Sequence, residues 1–493
     1  MTLEITIDNV IRFNISAELK MAYPQLMSWL RADLIIDNPV FIWAKRKNRS
    51  TFRIPAKLTF FKFNAQTGDI ALPRGYQERF FRHLEACGIS YHVSYNLAEG
   101  QRVTYNSAIQ LRDYQVPAVE KAVEMQGGLI EAPCGAGKTQ MGLEIIARHG
   151  QNAVWLTHTH DLANQVIERA QQCPGLTKGQ IGLYGGGKRE IGTHLTVALI
   201  PTLAQPDCRF PYEQFGVVLI DEVHHSPAGT WSPVINKFPA VHRYGVTATL
   251  ERADGLEIAT HLYVGPTVYK VTPEDVKDAG GTIIPKLIVH YTECKSAYWD
   301  EYQAELERVK EANKKAKAEG KKEQKEPSFR DYNGLLTELI ANPDRNALII
   351  NLLATDGPGH YSLVLSDRVA HCELLCELLK DKMPELKAAV ISGTLNKTDR
   401  QRIIDEVKEG KIQVLFAVDI AKEGLDIPRL DRLYLVAGGR NEAELIQKVG
   451  RIMRPAEGKT DARIIDIVDS KIDLMKGQYY ARRRVYRRLG IIS

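Results

Sequence analysis

The chain has 493 residues, of which 44% are hydrophobic and 25% are charged, and its net charge is +5. This length suffices for two to four domains of about 150 residues each, and no run of about 18 apolar residues could form a membrane-spanning helix. Glu4 and Asp8 stand where a signal peptide would be basic and then apolar, so we expect that the protein is not secreted. The seven cysteines contain no Cys-x-x-Cys pair, which disfavours a disulfide framework, a zinc ribbon and a four-cysteine iron–sulfur cluster.

Residues 1–102 are predicted to form a separate accessory α+β domain. Three short β-prone runs, at 3–7, 40–43 and 57–63, precede an amphipathic stretch at 77–87 that is typical of a helix. No pattern of catalytic residues occurs in this part of the chain.

Basic residues are concentrated in two places. Between positions 37 and 69 there is no acidic residue, while seven lysines and arginines alternate with Trp43, Phe52, Phe60 and Phe61. The last dozen residues contain Arg482, Arg483, Arg484, Arg487 and Arg488. Basic surfaces with interleaved aromatic side chains suit a polyanion whose bases also offer faces for stacking. Both stretches fit equally well a basic face that is merely solvated.

Residues 103–275 are predicted to form a first α/β domain. Apolar strands at 128–131, 153–157, 195–199, 217–220 and 244–247 alternate with helical stretches, which indicates a parallel sheet with helices on both faces. Ligands of such sheets collect at the carboxyl ends of the strands. We therefore expect the functional residues of this domain at that edge.

The stretch 129–139 has the layout of a phosphate-binding loop between a buried strand and a helix. Gly135 and Gly137 would let backbone N–H groups point at phosphate oxygens. Lys138 would reach the β- and γ-phosphates, and the Thr139 hydroxyl would hold Mg²⁺. The nucleotide-binding segment comprises Ala132, Pro133, Cys134, Gly135, Ala136, Gly137, Lys138 and Thr139. The usual pattern opens with glycine where this chain has Pro133, and a plain strand–turn–helix with a surface lysine is the alternative.

An acidic pair ends a strand 82 residues after Thr139. Asp221 would hold Mg²⁺ through its water shell, and Glu222 would position and deprotonate the attacking water. An acidic turn without a function is the alternative. His224 and His225 are adjacent and lack the spacing of two metal ligands on a helix, so we predict that His224 senses the γ-phosphate.

Residues 276–493 are predicted to form a second α/β domain, which has no phosphate loop. Its strands are expected at 362–365, 388–391, 413–417, 432–436 and 462–467. A segment at about 296–335 is dense in lysine and glutamate, which predicts an exposed, salt-bridged helix or a partly disordered insertion.

Three polar residues of the second domain share one predicted helix face. Gln447, Arg451 and Arg454 are spaced by four and three, while Val449 and Ile452 would form the buried face. Arginines supplied to a nucleotide across an interface neutralise charge as the γ-phosphoryl group leaves, a contribution of about 10³ to 10⁵ in rate. A basic helix that faces solvent is the alternative.

Six motifs occur in an order that resembles superfamily 2 helicases, and the resemblance extends over residues 104–470. They are LRDYQ at 111–115, APCGAGKT at 132–139, DEVH at 221–224, TAT at 247–249, AKEGLDIP at 421–428 and QKVGRIMR at 447–454. The run 245–255, followed by Gly265-Pro266 and Tyr269, is similar to the XPB-like branch. The basic N-terminal part ahead of such a motor makes the layout similar to that of a phage recombination helicase.

The resemblance implies two tandem RecA-like parallel-sheet domains that bind ATP in their cleft and a nucleic acid strand across their tops. Arg112 and Gln115 would recognise adenine, and Gly424 and Asp426 would complete the nucleotide site. Contacts with the strand, and the coupling of hydrolysis to its movement, would come from Thr157, His158, Thr159, Gly185, Gly186, Thr202, Thr247, Thr249, Arg252, Ser366, Arg368, Ser392 and Gly393.

Two features depart from the family or leave its pattern open. Arg252 and Asp254 match an Arg-Glu-Asp element of the XPB-like branch only in part, because Ala253 replaces its acid. The charged segment at 296–335 lies near the place where some relatives carry a helical thumb that grips DNA, but its residues fit a solvated linker equally well.

These observations predict an ATP- and Mg²⁺-dependent helicase or translocase that acts on double-stranded, forked or branched DNA in repair, recombination or replication. The alternatives are a translocase that remodels or anneals without net unwinding, an RNA helicase, and a nucleic-acid-binding scaffold that uses ATP as a switch. We expect the protein in the cytoplasm of a bacterial or phage-infected cell, without a membrane partner. Its oligomeric state is open, with a monomer as the default.

Overall fold

We describe the protein from a computed structural model of the chain. The structure describes all residues except 1, 48, 134, 174, 224–227, 251–254, 419–426, 438, 440–441 and 493. The chain divides into two compact units, Met1–Ala279 and Gly280–Ser493. Among the described residues, no helix is long and apolar enough to cross a membrane.

The first unit begins with a five-stranded sheet of order β5-β6-β2-β1-β7, in which only β1 and β7 are parallel. Its elements are β1 (Thr2–Ile7), β2 (Val10–Asn14), α1 (Ala17–Ala22), α2 (Pro24–Leu34), β3 (Ile35–Asp37), α3 (Pro39–Arg46), β4 (Lys57–Thr59), β5 (Lys62–Phe63), β6 (Asp69–Pro73), α4 (Gln77–Cys87) and β7 (Ser90–Tyr95). Strand β1 alternates exposed and buried residues, so that Leu3, Ile5 and Ile7 face a core that Phe80 and Leu84 of α4 close.

One of the β-prone runs in this part was predicted wrongly, and another forms two separate strands. Residues 40–43 belong to helix α3, because the Asn38 side chain accepts a hydrogen bond from Val40 N–H and Pro39 occupies the first turn. The run 57–63 is divided between β4, which pairs with β3, and β5, which pairs with β6 of the main sheet.

A second, eight-stranded sheet follows, of order β11-β10-β12-β9-β13-β14-β8-β15. Its elements are α5 (Gln115–Glu124), β8 (Gly127–Glu131), α6 (Lys138–His149), β9 (Ala153–Thr157), α7 (His160–Gln172), β10 (Ile181–Gly185), β11 (Lys188–Arg189), β12 (Leu195–Leu199), α8 (Ile200–Leu203), β13 (Val217–Asp221), α9 (Ala228–Ile235), β14 (His242–Thr247), α10 (Glu257–Tyr263), β15 (Thr267–Lys270) and α11 (Pro273–Asp278). All strands except the edge strand β11 run parallel. Along β9, Ala153 and Trp155 face one core while Val154 and Leu156 face another, which is why these four consecutive residues are all apolar.

The N-terminal sheet shares its core with the larger sheet's helix α10. Leu256, Ala259 and Leu262 pack among the buried side chains of residues 3–89. Arg74 donates to the carbonyl oxygens of Ala240 and Val241, and burial lowers its pKa to about 10. The structure therefore joins this region to the rest of the first unit through both apolar packing and a buried guanidinium.

The second unit is built on a six-stranded, fully parallel sheet of order β16-β21-β20-β17-β19-β18. Its elements are β16 (Lys286–Thr292), α12 (Ala297–Ala318), α13 (Tyr332–Ala341), α14 (Pro343–Asp356), β17 (Ser362–Ser366), α15 (Val369–Lys382), β18 (Ala388–Ile391), α16 (Lys397–Lys408), β19 (Val414–Val418), β20 (Arg432–Leu435), α17 (Glu442–Ile452), β21 (Arg463–Asp469) and α18 (Asp473–Arg488). Only residues 297–318 of the predicted charged segment form the 22-residue helix α12, and none of the side chains of this helix makes an ion pair within the described residues. After this helix the chain returns along it, because the amide of Asn313 exchanges two hydrogen bonds with the main chain of Gln324.

Candidate active site

The residues that the sequence singled out in the first unit lie at one edge of the eight-stranded sheet. Asp221 pairs with Val246 and Thr247 pairs with Glu131, so the carboxyl ends of β13, β14 and β8 are level with one another. The phosphate loop follows β8, the acidic pair ends β13, and Thr247 ends β14. Groups on three different strands can therefore act on one ligand at this edge.

The phosphate loop turns from β8 into α6 through two glycines in left-handed conformations. Gly135 has φ +85° and Gly137 has φ +75°, values that residues with a Cβ rarely adopt. Ala136 N–H donates to Pro133 O at 3.1 Å and closes the turn. Helix α6 begins at Lys138, and its first N–H groups, which have no acceptor within the helix, are those that an anion at the loop would bind.

Gln115 braces this loop from inside the protein. Its side chain is buried, donates from Nε2 to Ala136 O at 2.7 Å and accepts from Arg112 N at 2.9 Å. The Tyr114 hydroxyl donates to the same Ala136 carbonyl at 3.2 Å. A Cβ at Gly137 would lie 2.3 Å from Gln115 Nε2, so only glycine leaves room for this amide. The role predicted for Gln115 in adenine recognition stays a prediction; the structure gives it a positioning role as well.

Lys138 reaches across the edge to the acidic pair. Its Nζ lies 3.3 Å from Glu222 Oε1 and 3.4 Å from Ala132 O, and the exposed fractions of the two side chains are 11% and 14%. Glu222 has φ +48°, a conformation that costs a residue with a side chain about 1 kcal/mol or more. The fold therefore holds the Glu222 backbone in a strained geometry directly after the buried Asp221.

Asp221 is buried beneath this pair, and its pKa is raised to about 7. Burial is the main cause and the Glu222 carboxylate adds to it, while the Lys138 ammonium opposes both. A divalent cation would reverse the shift by stabilising the charged carboxylate. The carboxylate of Asp221 and the hydroxyl of Thr139 are oxygen donors of the kind that Mg²⁺ prefers, so the residues present fit that ion.

The last residue of β14 is hydrogen-bonded to the start of the phosphate-loop segment. Ala132 N–H donates to Thr247 O at 2.8 Å. The Thr247 hydroxyl donates to Thr249 O at 2.6 Å and accepts from Thr249 N–H at 3.3 Å, and both threonines are buried. Thr247 is therefore bonded both to the first residue of the predicted phosphate-loop segment and to Thr249.

The residues predicted to touch nucleic acid in the first unit follow β9, β10 and β12. Thr157 is fully buried at the end of β9, so its hydroxyl does not face solvent, whereas Thr159 caps α7 by accepting from Leu162 N–H. Gly185 ends β10 and Gly186 follows it, and a Cβ at Gly186 would lie 1.6 Å from the ring of His160. His158 lies between Thr157 and Thr159, and Thr202 lies in α8.

In the second unit, the predicted polar face belongs to helix α17. Gln447 and Arg451 lie in the helix, and Arg454 follows its last residue, Ile452. Val449 and Ile452 are fully buried, and Arg451 is only 9% exposed. The alternative of a basic helix that faces solvent therefore does not fit this segment.

Sequence reasoning missed Lys459, which holds the end of this region together. Its Nζ donates to the carbonyl oxygens of Pro428 at 3.2 Å, Leu430 at 2.6 Å and Arg454 at 2.8 Å. Burial lowers its pKa to about 8. Lys459 thus connects the last residues of two motifs, but a lone lysine in a turn gives no sequence signal of such a role.

Ser366 and Ser392 lie at the carboxyl ends of β17 and β18 in the second unit. The Ser366 side chain is buried and shares a hydrogen bond with His371 Nδ1 at 2.8 Å. The Arg368 guanidinium donates to Asn333 Oδ1 at 2.6 Å. Ser392 bonds Thr394, while Gly393 is exposed with open space around it. Of these predicted contacts, Gly393 offers the most accessible backbone.

The arginines near the C-terminus do not form the uniform basic patch that their sequence suggests. Arg482 is buried and forms a bidentate ion pair with Asp466, in which Nη2 donates to Oδ1 at 2.7 Å and Nε donates to Oδ2 at 2.9 Å. Arg484 and Arg488 lie 3.5 and 3.6 Å from the carboxylate of Glu442. These three arginines attach α18 to β21 and α17, which is a structural use of their charge.

Several predicted site residues lie outside the described part of the chain. They are Cys134, His224, Arg252, Gly424 and Asp426.

Each of the two units contains a stretch that matches a known protein family. Residues 108–252 match the family described as type III restriction enzyme, res subunit, and residues 344–456 match the helicase conserved C-terminal domain. The matches cover 145 and 113 residues, 258 of 493 in all, and include the phosphate loop, the acidic pair and α17. The chain is a superfamily 2 helicase.

The helicase has relatives in the XPB-like branch, as predicted. It is 28% identical over 388 residues to the DNA 3'-5' translocase XPB2 of Sulfurisphaera tokodaii, covering 73% of this chain and 82% of that protein. It is 28% identical over 381 residues to the DNA 3'-5' helicase XPB of Kineococcus radiotolerans, covering 76% and 62% respectively. The helicase thus spans most of the first relative but less than two thirds of the second.

Solved structures show the same fold. The structure of S. cerevisiae Dbp5 bound to RNA and ADP BeF3 has a TM-score of 0.53 and 15% identity, over 78% of this helicase and 89% of that chain. The predicted fold class, tandem RecA-like domains with parallel sheets, is confirmed. T4 UvsW aligns with 99% of this helicase and 98% of its own chain, at 15% identity and a TM-score of 0.41.

Proposed function

We propose that this helicase is an ATP-driven motor that moves along DNA, with duplex, forked or branched DNA as its substrate. The observation that carries the proposal is the ion pair between Lys138 of the phosphate loop and Glu222, above a buried Asp221. A cation that can leave a carboxylate for a phosphate is what a nucleotide hydrolase needs at this place. The XPB2 and XPB relatives carry DNA in their names, which supports the choice of substrate.

The roles of the site residues follow from their chemistry. The loop N–H groups and Lys138 would bind the β- and γ-phosphates, and transfer of the ammonium from Glu222 to phosphate would free that carboxylate. Glu222 could then orient the attacking water and accept its proton. Thr139 and Asp221 would hold Mg²⁺, which neutralises charge on the phosphate oxygens when it is bound.

We assign Arg451 of α17, and Arg454 just after this helix, to the same reaction. Arg451 and Arg454 would neutralise the charge that develops on the γ-phosphoryl group during turnover, with Gln447 beside them. The bond between Ala132 and Thr247 would pass the state of the phosphate loop to the Thr247–Thr249 turn, and from there to the bound strand.

The site of action would be the interior of a bacterial or phage-infected cell, where ATP and DNA meet. We also assign residues 1–102 to nucleic acid binding, because their basic stretch is rich in exposed side chains. A translocase without net strand separation is the second candidate, since XPB2 is itself named a translocase.

The proposal is tested by ATPase rates across single-stranded, duplex, forked and four-way DNA and the matching RNAs. Stimulation by branched or duplex DNA above RNA is the expected result. Stimulation by RNA alone would replace DNA as the substrate, and ATPase with no release of strands from forked DNA would favour the translocase. A rate that no nucleic acid changes would contradict the motor.

A further inference from the structure

Helix α3 and the loop that follows it carry a surface that is both basic and aromatic. Trp43 is 49% exposed and Phe52 is 79% exposed, among the largest exposures of any apolar side chain in the described residues. Lys45, Arg46, Arg49 and Arg53 are exposed around them. We call these six residues the basic–aromatic surface.

The fold separates these two rings from the other aromatic residues of the same stretch. Phe60 is buried in the N-terminal core and Phe61 packs against it, so both serve the fold. On α3, Val40 and Trp43 point outward while Ala44 is buried, which follows from helical rather than strand periodicity. The rings of Trp43 and Phe52 thus lie outside the hydrophobic core and are exposed to solvent.

Each exposed ring is paired with an arginine. The Arg49 guanidinium lies 4.7 Å from the centre of the Trp43 ring, and that of Arg53 lies 5.3 Å from the centre of the Phe52 ring. No acidic residue occurs between positions 37 and 69. Within the described residues, none of the four basic side chains of the surface forms an ion pair with a carboxylate. Their positive charge is therefore available to an external anion.

The loop that presents Phe52 is anchored rather than loose. Asn38 is buried, and its amide donates to Pro55 O at 2.8 Å while its backbone N–H donates to Ala56 O at 2.9 Å. Arg53 has φ +63°, a conformation that a structure maintains only where its surroundings fix it. The later end of the loop is therefore held beside the start of α3.

The basic–aromatic surface is also fixed to the motor part of the first unit. A Cβ at Gly255 would lie 3.3 Å from Cβ and Cγ of Pro39, the first residue of α3. Gly255 lies six positions after Thr249, and α10 follows it into the shared N-terminal core. A strand held on this surface would therefore be held on the same compact unit as the phosphate loop and the Thr247–Thr249 turn.

We propose that the basic–aromatic surface binds an unpaired nucleic acid strand, with bases stacked on Trp43 and Phe52 and phosphates on the surrounding lysine and arginines. This inference deepens the proposed function and rests on it. Stacking requires bases that are not paired within a duplex, so the surface selects single-stranded segments such as the arm of a fork. Arginine guanidinium groups suit phosphate oxygens and can also stack on a base.

The test measures binding of the full chain to fluorescent oligo(dT) and to a blunt duplex of equal length. Trp43→Ala and Phe52→Ala should each weaken oligo(dT) binding by about 5- to 150-fold, the range for loss of one stacked base. Duplex binding and ATPase without nucleic acid should stay as in the wild type. Tyr95→Ala is the matched control, because Tyr95 is 59% exposed in the N-terminal sheet but lies outside the surface; it should change neither affinity.

A second measurement separates stacking from charge. Arg49→Gln should lower the slope of log affinity against log salt by about 0.7 for oligo(dT), as expected for one phosphate contact on a single strand. Unchanged oligo(dT) binding by the Trp43→Ala/Phe52→Ala double variant would overturn the proposal. The proposal would also be overturned if this variant bound vesicles of anionic lipid more weakly than the wild type but bound oligo(dT) equally well. If oligo(dT) binding depends on the rings while no nucleic acid stimulates the ATPase, the motor fails and the surface stands. If nucleic acid stimulates the ATPase while binding does not depend on the rings, the motor stands and the surface fails.

Discussion

Replacing Lys138 by methionine should both stop ATP turnover and destabilise the first unit. The substitution removes the ammonium 3.3 Å from Glu222, where both side chains are largely buried and Asp221 already has a pKa of about 7. Removing one partner of a buried ion pair costs about 3–5 kcal/mol. Because Glu222 is 14% exposed and keeps some contact with solvent, we expect a smaller loss of about 2 kcal/mol at pH 7.

A double-mutant cycle isolates this interaction. Urea unfolding of the wild type, Lys138→Met, Glu222→Gln and the double variant gives the coupling free energy, which we expect to be about 1–2 kcal/mol. The double variant should regain much of the stability that Lys138→Met loses, since it carries no charged carboxylate at position 222. All three variants should lack the ATPase activity of the wild type. Additive losses of stability would show that the pair does not form, and full DNA-stimulated ATPase in Lys138→Met would refute the assigned role.

Three further outcomes follow from the structure. Arg451→Ala and Arg454→Ala should each lower kcat about 10³-fold or more and leave ATP affinity within severalfold of the wild type. Steady-state ATPase assays and nucleotide-binding fluorescence measure the two quantities, and an unchanged kcat would contradict the assignment. Burial lowers the pKa of His371 to about 3, below its unfolded value of 6.5, so stability should fall as the pH drops from 6.5. The stability advantage of the wild type over His371→Gln should then shrink by at most about 2 kcal/mol between pH 7 and pH 5 in urea unfolding, and a constant difference would exclude a buried neutral imidazole. Gly137→Ala should weaken ATP binding strongly, because Gly137 has φ +75° and an added Cβ would contact Gln115. The control Gly175→Ala, at a glycine with φ +67° and open space around it, should lose only about 1–2 kcal/mol of stability and no ATP affinity. Equal ATP affinities of the two variants would refute the contact with Gln115.

The parallel sheets could be predicted closely because their strands are apolar on both faces. Strands at 153–157, 195–199 and 388–391 have the bounds that the sequence indicated. In the N-terminal part, the apolar and aromatic residues at 40–43 suggested a strand, but Asn38 and Pro39 start a helix there. Local capping outweighed β propensity, which is a weak preference that depends on context.

Contacts between distant segments could not be read from the sequence. The bonds that Lys459 makes to three carbonyl groups, and the ion pair of Arg482 with Asp466, depend on how loops and helices pack. The same holds for the shared N-terminal core. Deleting residues 1–102 would expose Leu256 and Leu262, so point variants of the basic–aromatic surface test its function more cleanly than a truncation does.

The central claim is that hydrolysis at the Lys138–Glu222 site drives a motor on DNA. The most direct measurement compares steady-state ATPase of the wild type and Glu222→Gln with and without forked DNA, alongside ATP affinity. We predict that forked DNA raises the wild-type rate severalfold, and that Glu222→Gln binds ATP but hydrolyses it at least about 10²-fold more slowly under both conditions. A Glu222→Gln variant with wild-type, DNA-stimulated turnover would contradict the account.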